Sequence, residues 1–422
     1  MNRYLIKYLR DSATDDVTKK YLDYFKVELD WYIYKYGNHF TPKHTTIKSK
    51  VARLVRCFNT ITNKPKYIGI DNNILSSINI SNKRFWSDLG YNAISSYLQP
   101  VGYNNILGNK DLILLKRKID NIINRGNFND LYSLSLFEEI ENVLHNDIIE
   151  YQKYNFKGLC LYTDQYFESK YLIDVFKKIG KPSLVFSHGL PGIYSIDVDN
   201  RSDFLMVWGE RIKENYIKAG FNKDKIKVVG NLKYSYPKQF RYLRNSLDNV
   251  LVIPCSSILW HQHEWDNVQL IDRSMIILYL YQVQHILSRY NVKHARFRPH
   301  PVINIDWVYK YIDTDFYIKD DKPLLESFQE STLVIGSTST TFLEALSAGV
   351  NYLVYEPIDT FGNSLCNMKL VPPFDGSERN LSIAKNKEEL EYMIMHEYQV
   401  DTSILEGYMQ PINTSVIKSI LK

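Results

Sequence analysis

The chain contains no run of about 18 apolar residues, the length a helix needs to span a bilayer, so no membrane-crossing helix is expected. Its first residues, MNRYLIKYLRDSATDD, hold neither an apolar h-region nor a small-residue cleavage site. A secretory signal is therefore not expected, and a cytoplasmic location is. Cysteine is scarce: Cys57, Cys160, Cys255 and Cys366 stand far apart with no CxxC spacing. That pattern excludes a zinc-finger set and a disulfide framework and leaves buried free thiols in a reducing compartment. There is no long basic block. The densest cluster, LLKRKID at 114–120, reads as the solvated face of a helix, so no nucleic-acid partner is expected. No GxxxxGK[ST] loop, no DxD pair placed for a metal, no internal repeat and no low-complexity tract occur.

What is present is an ordinary globular composition, 45% hydrophobic, with a net charge of +5 spread along 422 residues. That length predicts two domains, or three. The first 150 residues look mostly helical. Val17, Tyr21, Phe25, Leu29 and Tyr32 recur at helical spacing, with Thr14 or Asp15 as the cap and Gly37 as the stop. Two further helices are expected over about 109–125 and 135–152, and KYIGIDNNIL (66–75) is a weak strand candidate. From 157 onward short, wholly apolar strands alternate with helices, which is the pattern of a parallel sheet covered on both faces. The alternation pauses over 236–249 and then resumes. The expectation is α/β: an N-terminal domain over 1–240, helix-rich to 150 and doubly wound over 157–232, and a second doubly wound domain over 248–395. A last segment, 396–422, would pack back on the first domain.

Polar residues fall where these strands end. Asp164 follows LCLYT, His188-Gly189 follows SLVFS, Ser256-Ser257 follows VLVIPC, Arg298 and His300 follow ARF, Ser337 to Thr341 follow LVIG, and Glu356 follows YLVY. In doubly wound sheets ligands bind beyond the carboxyl ends of the strands, so these residues should open on one cleft between the domains. GSTSTTFLEALSAG (336–349) is the most telling stretch. A strand ends in Gly336, five hydroxyl residues follow and a helix begins, a setting suited to a phosphate. A plain N-cap would need only one hydroxyl. Glu344, one turn into that helix, could reach a ribose hydroxyl, or be an ordinary helix glutamate. FRPHP (297–301) offers Arg298 and His300 on a proline-stiffened corner that could clamp the same phosphates.

Taken together, VFSHGLPG, VWGERIKENYIKAGF, FRPHP and LVIGSTSTTFLEALSAG resemble the two-domain GT-B glycosyltransferases. More narrowly, the chain is similar to the bacterial capsule, lipopolysaccharide and teichoic-acid enzymes that use cytidine-nucleotide donors: sialyl-, Kdo- and glycerophosphotransferases. The likeness covers about 157–357. It implies two Rossmann-like domains facing across a cleft and metal-independent, inverting transfer from a nucleotide sugar to a glycan or glycolipid acceptor. No cofactor is expected, and the mildly basic chain without a spanning segment suggests peripheral contact with the inner membrane. His300 and Pro301 become the donor-phosphate motif, Ser337, Thr338, Ser339 and Thr340 the second phosphate motif, and Glu344 a nucleotide contact, with Arg298, Ser256, Ser257 and Gly189 lining the donor side. His188 is the candidate base, with Asp164 orienting it or acting as base itself. The chain departs from the sialyltransferases in lacking a clear acidic-acidic-glycine motif. Nucleotide-sugar 2-epimerases share the architecture and form the isomerase alternative; a non-catalytic GT-B subunit is the third reading.

Overall fold

The computed structural model describes residues 3–29, 47–79, 84–125, 128–196, 200–232, 242–254, 275–299, 307–358 and 370–422. Two all-parallel sheets organise it. The first has seven strands in the order β3-β2-β1-β4-β5-β6-β7: β1 (Asn73–Ser76), β2 (Asn92–Ser96), β3 (Ile106–Leu107), β4 (Phe156–Leu161), β5 (Ser183–Phe186), β6 (Phe204–Val207) and β7 (Ile226–Val228). The second has six in the order β10-β9-β8-β11-β12-β13: β8 (Val250–Ile253), β9 (Ala295–Phe297), β10 (Tyr317–Lys319), β11 (Leu333–Gly336), β12 (Tyr352–Tyr355) and β13 (Ile383–Ala384). Each sheet runs outward from a switch point, β1/β4 in one and β8/β11 in the other. That is the doubly wound Rossmann order, twice, in the GT-B arrangement. Strands β5, β8, β11 and β12 are buried along their whole length, as parallel strands covered on both faces must be.

The first sheet begins well before 157. β1, β2 and β3 lie inside the stretch read from sequence as mostly helical, and β1 pairs with β4 over Asn73–Ser76. These strands carry polar residues that a pattern search passes over. Asn73 is fully buried, and its side-chain amide donates to the carbonyls of Tyr67, Ile70 and Tyr154. The helices expected over 109–125 and 135–152 form as Lys110–Arg125 and Leu134–Gln152. Near the start, Asp15 caps Asp16–Tyr21 by accepting from the Thr18 amide at 2.6 Å. The proposed stop at Gly37 lies outside the described residues.

The connection between the domains joins the second one at Arg244, which bridges in parallel to Val350. Its guanidinium donates to the carbonyls of Phe328, Gln329, Ala348 and Gly349, closing the carboxyl ends of the helices Leu324–Glu330 and Thr341–Ser347. The chain crosses back after the second domain. Gln410 donates to the Trp208 carbonyl at 2.8 Å and Asn413 to that of Val229 at 2.9 Å. Ile417 and Leu421, on and just after the helix Thr414–Ile420, then join the core formed by Ile74, Phe186 and Met206 of the first domain. Gly230 permits this return. Its φ is +76°, and a Cβ there would lie 2.4 Å from the Pro411 carbonyl oxygen.

Candidate functional site

The hydroxyl loop begins where β11 ends. Gly336 is required there by contact rather than by backbone angle: a Cβ would fall 2.0 Å from the Tyr352 hydroxyl. That buried tyrosine donates to the Ser337 carbonyl at 2.7 Å and so pins the turn. The Ser337 amide donates to the Ile253 carbonyl at 3.1 Å, tying the loop across the β8/β11 switch point. Thr338 is engaged on both its amide and its hydroxyl, each 2.9 Å from one carboxylate oxygen of Glu356, which is fully buried after β12. Ser339 accepts from the Thr341 amide at 3.0 Å and lies 2.8 Å from the Thr341 hydroxyl. The loop is thus a rigid turn, and its first donors already serve an internal carboxylate. A phosphate would have to approach from the Ser339–Thr340 side. Glu344 sits in the first turn of the helix Thr341–Ser347 and is buried.

Thr340 points across to the other domain. Its Oγ1 accepts from the Leu190 amide at 2.8 Å, so the turn after β5 and the turn after β11 meet directly. Gly189 makes that approach possible, since a Cβ there would lie 2.5 Å from Thr340 Oγ1. Trp208, nearly fully buried, holds the first-domain side of the contact by donating its indole N–H to the Ser187 carbonyl at 2.9 Å. Next to Ser187, His188 is exposed, and its ring stands edge-on to Tyr162 at a centroid separation of 6.3 Å. A second bond between the domains runs from the Tyr194 hydroxyl to the Pro372 carbonyl at 3.4 Å. Sequence reasoning brought His188, Gly189 and the hydroxyl loop to the same cleft. It missed Leu190, Trp208 and Tyr194, which set their geometry, because these contacts join residues that no local pattern relates.

Two candidates are placed in structural networks. The Arg298 guanidinium is paired with Asp320 at 2.8 Å, and also donates to the Lys322 carbonyl at 2.7 Å and the Ser327 hydroxyl at 3.2 Å. Asp320 is almost fully buried and is shared by two cations, Arg298 at 2.8 Å and Arg296 at 3.4 Å, so in this conformation the Arg298 charge is taken up between β10 and the helix Leu324–Glu330. Asp164 is buried, and one carboxylate oxygen accepts from the amides of Arg201 and Ser202 at 2.5 and 2.9 Å. Burial pushes its carboxyl above the usual carboxylate value, and the two amide bonds pull it back. Its visible work is to fix the chain entering β6. Ser256, Ser257, His300 and Pro301 lie outside the described residues. Among the described residues, no group of three or more His, Cys, Asp or Glu is arranged to hold a metal ion.

No family model matches the chain, and no curated protein does. Several solved structures are similar to it at low identity. The UDP complex of MnaA from S. aureus is 11% identical, covering 83% of this chain and 95% of that one, with a TM-score of 0.48. The UDP-GlcNAc 2-epimerase from Neisseria meningitidis bound to UDP-GlcNAc is 10% identical, covering 83% of this chain and 99% of that one, with a TM-score of 0.46. The lipopolysaccharide outer core galactosyltransferase WaaB, in its apo form, is 12% identical, covering 79% of this chain and 93% of that one, with a TM-score of 0.42. These are likenesses of fold, and the architecture described above rests on this chain's own strand order.

Proposed function

We propose that the chain is an enzyme acting on a nucleotide-activated sugar held between its two domains. One observation carries this reading: the Leu190–Thr340 hydrogen bond brings the switch-point loop of the second domain against the turn bearing His188 in the first. The nucleotide would lie at the β8/β11 switch point with its phosphates on the Ser339–Thr340 side. The sugar would then reach toward His188, an exposed imidazole able to take a proton near neutral pH.

Transfer to a glycan acceptor is the reaction the sequence motifs favour, with His188 accepting the proton of the attacking hydroxyl. The second reading, epimerisation at the sugar carbon beside the anomeric centre, needs the same cleft and no acceptor. It is the activity named for the Neisseria meningitidis structure. Nothing among the described residues selects cytidine over uridine, so both belong in the test. The protein is incubated with UDP- and CMP-sugars, with and without glycan acceptors, while proton NMR follows the sugar and a coupled assay follows released nucleotide. Acceptor-dependent nucleotide release supports transfer, and a new sugar epimer without acceptor supports isomerisation. No binding and no turnover across both panels overturns the nucleotide-sugar reading.

A further inference from the structure

The helix Ile47–Thr62 turns its apolar side outward. Ile47, Val51, Leu54, Val55, Phe58 and Ile61 are all exposed, Ile47 at 82%, Phe58 at 65% and Leu54 at 64%. At about 100° per residue these six positions fall within an arc of roughly 120°, the width of a face that normally meets a core. The residues this helix buries are Cys57 and Thr60, on a separate arc. Thr60 seats against Gly108, where a Cβ would come within 2.9 Å of its methyl group, just past the carboxyl end of β3. Anchoring is polar as well. Arg53 pairs with Asp120 at 3.1 Å, Arg56 donates to the Gly102 carbonyl at 3.1 Å and lies over the Tyr103 ring, and Asn59 donates to the Tyr103 carbonyl at 2.8 Å. The helix is therefore fastened by one side while its broad apolar side faces away from the domain.

Charge identifies what that side fits. The helix carries Lys48, Lys50, Arg53 and Arg56 and no acidic residue. Lys48 and Lys50 are exposed and fall at the two edges of the apolar arc. Aliphatic and aromatic side chains bordered by lysines match an anionic lipid surface, whose acyl boundary takes the apolar side chains and whose headgroups take the ammonium groups. A protein partner would be expected to ask for some hydrogen-bonding groups within the arc; the one polar side chain there is Thr62, at the end of the helix, and its hydroxyl already donates to the Phe58 carbonyl at 2.9 Å. Among the described residues no helix is long and apolar enough to cross a membrane, so the contact is one of lying on the surface.

We infer that the helix Ile47–Thr62 docks the protein on an anionic phospholipid surface through Ile47, Val51, Leu54, Val55, Phe58 and Ile61, with Lys48 and Lys50 on the headgroups. The inference does not depend on the nucleotide-sugar reading. The test uses the full chain and co-sedimentation with vesicles of phosphatidylcholine, alone or mixed equally with phosphatidylglycerol. Binding is expected to the mixed vesicles and to weaken in high salt. Lys48→Gln with Lys50→Gln should weaken it roughly 25-fold, about fivefold for each cation lost near a charged surface. Leu54→Ser with Phe58→Ser should weaken it at least as much while leaving the thermal midpoint unchanged. Absence of binding to the mixed vesicles, or binding indifferent to both variants, overturns the inference. So does a lowered midpoint in the serine variant, which would show the face covered by the chain itself. A dimer that the serine variant dissociates would show it covered by a second copy, and likewise overturns it.

Discussion

Replacing Gly189 by alanine tests whether the contact between the two turns matters for the proposed activity. The new methyl would stand 2.5 Å from Thr340 Oγ1, an atom fixed by its bond to the Leu190 amide at 2.8 Å. Relief requires Thr340 to withdraw by close to an ångström, which breaks that bond. The lost hydrogen bond is worth about 1 kcal/mol, and residual crowding adds about 1–2 kcal/mol. Both arise where the domains meet, so the cost falls on their closed arrangement more than on either core. A penalty of about 2–3 kcal/mol lowers the closed population, and with it nucleotide-sugar affinity or kcat/KM, by roughly 30- to 150-fold. Thr340→Ala removes only the hydrogen bond and should cost about fivefold. The decisive comparison is the double variant. With Oγ1 gone, the methyl introduced at position 189 has room, so Gly189→Ala with Thr340→Ala should behave like Thr340→Ala alone. Small-angle scattering should show the Gly189→Ala protein more extended, with a thermal midpoint close to that of the parent. Strictly additive effects in the double variant, or full affinity in Gly189→Ala, would refute the reasoning.

Three other groups give measurable outcomes. Asp147 is fully buried in the helix Leu134–Gln152, where burial pushes its carboxyl up to about 7 against hydrogen bonds from Tyr171 and Asn109. A carboxyl raised by folding contributes stability that is complete below about pH 4 and is lost as pH rises through about 7; urea unfolding should show Asp147→Asn missing roughly 3–4 kcal/mol of that decline relative to the parent. Asp164→Ala should lower the unfolding free energy by about 2–4 kcal/mol, because two backbone amides lose their acceptor, whereas Asp164→Asn should recover most of it; a large loss of turnover with stability intact would instead make Asp164 a base. Arg298→Ala should destabilise by about 1–2 kcal/mol, because Asp320 loses its shorter cation contact but keeps Arg296 at 3.4 Å and the Ser327 hydroxyl at 2.6 Å, while nucleotide affinity, measured by calorimetry, changes at most a few-fold; a selective loss of affinity would return Arg298 to the phosphates.

The second domain was nearly transparent in the sequence and the first only in part. β8, β11 and β12 are short apolar runs buried on both faces, so composition alone marks them. β1 reads NILS and β2 NAISS, with buried Asn73, Ser76, Ser95 and Ser96, and the bonds of the Asn73 amide to the carbonyls of Tyr67, Ile70 and Tyr154 are ones no local pattern encodes. β3 is two residues long and exists because β2 is beside it. In the site, strand-end positions were readable, since polar residues after apolar runs must go somewhere. Their bonding partners were not. Asp320 lies 22 residues beyond Arg298 and Glu356 lies 18 beyond Thr338, separations fixed only by the strand order.

The return of the chain across the domain junction bears on modularity. Gly209 meets the Gly407 carbonyl so closely that a Cβ there would lie 2.1 Å from its oxygen, and Leu421 ends against Gly158 at the centre of the first sheet. The polypeptide therefore passes between the domains twice, and the first domain finishes its core with residues encoded after the second. A single cut near 240 could not release two independent modules, because the first would keep an open apolar slot where Ile417 and Leu421 belong. Recombination that exchanges the second domain while preserving the first must splice at both crossings. Variation of the two halves is thus tied together, and an exchange of halves that succeeds should be an insertion rather than a fusion.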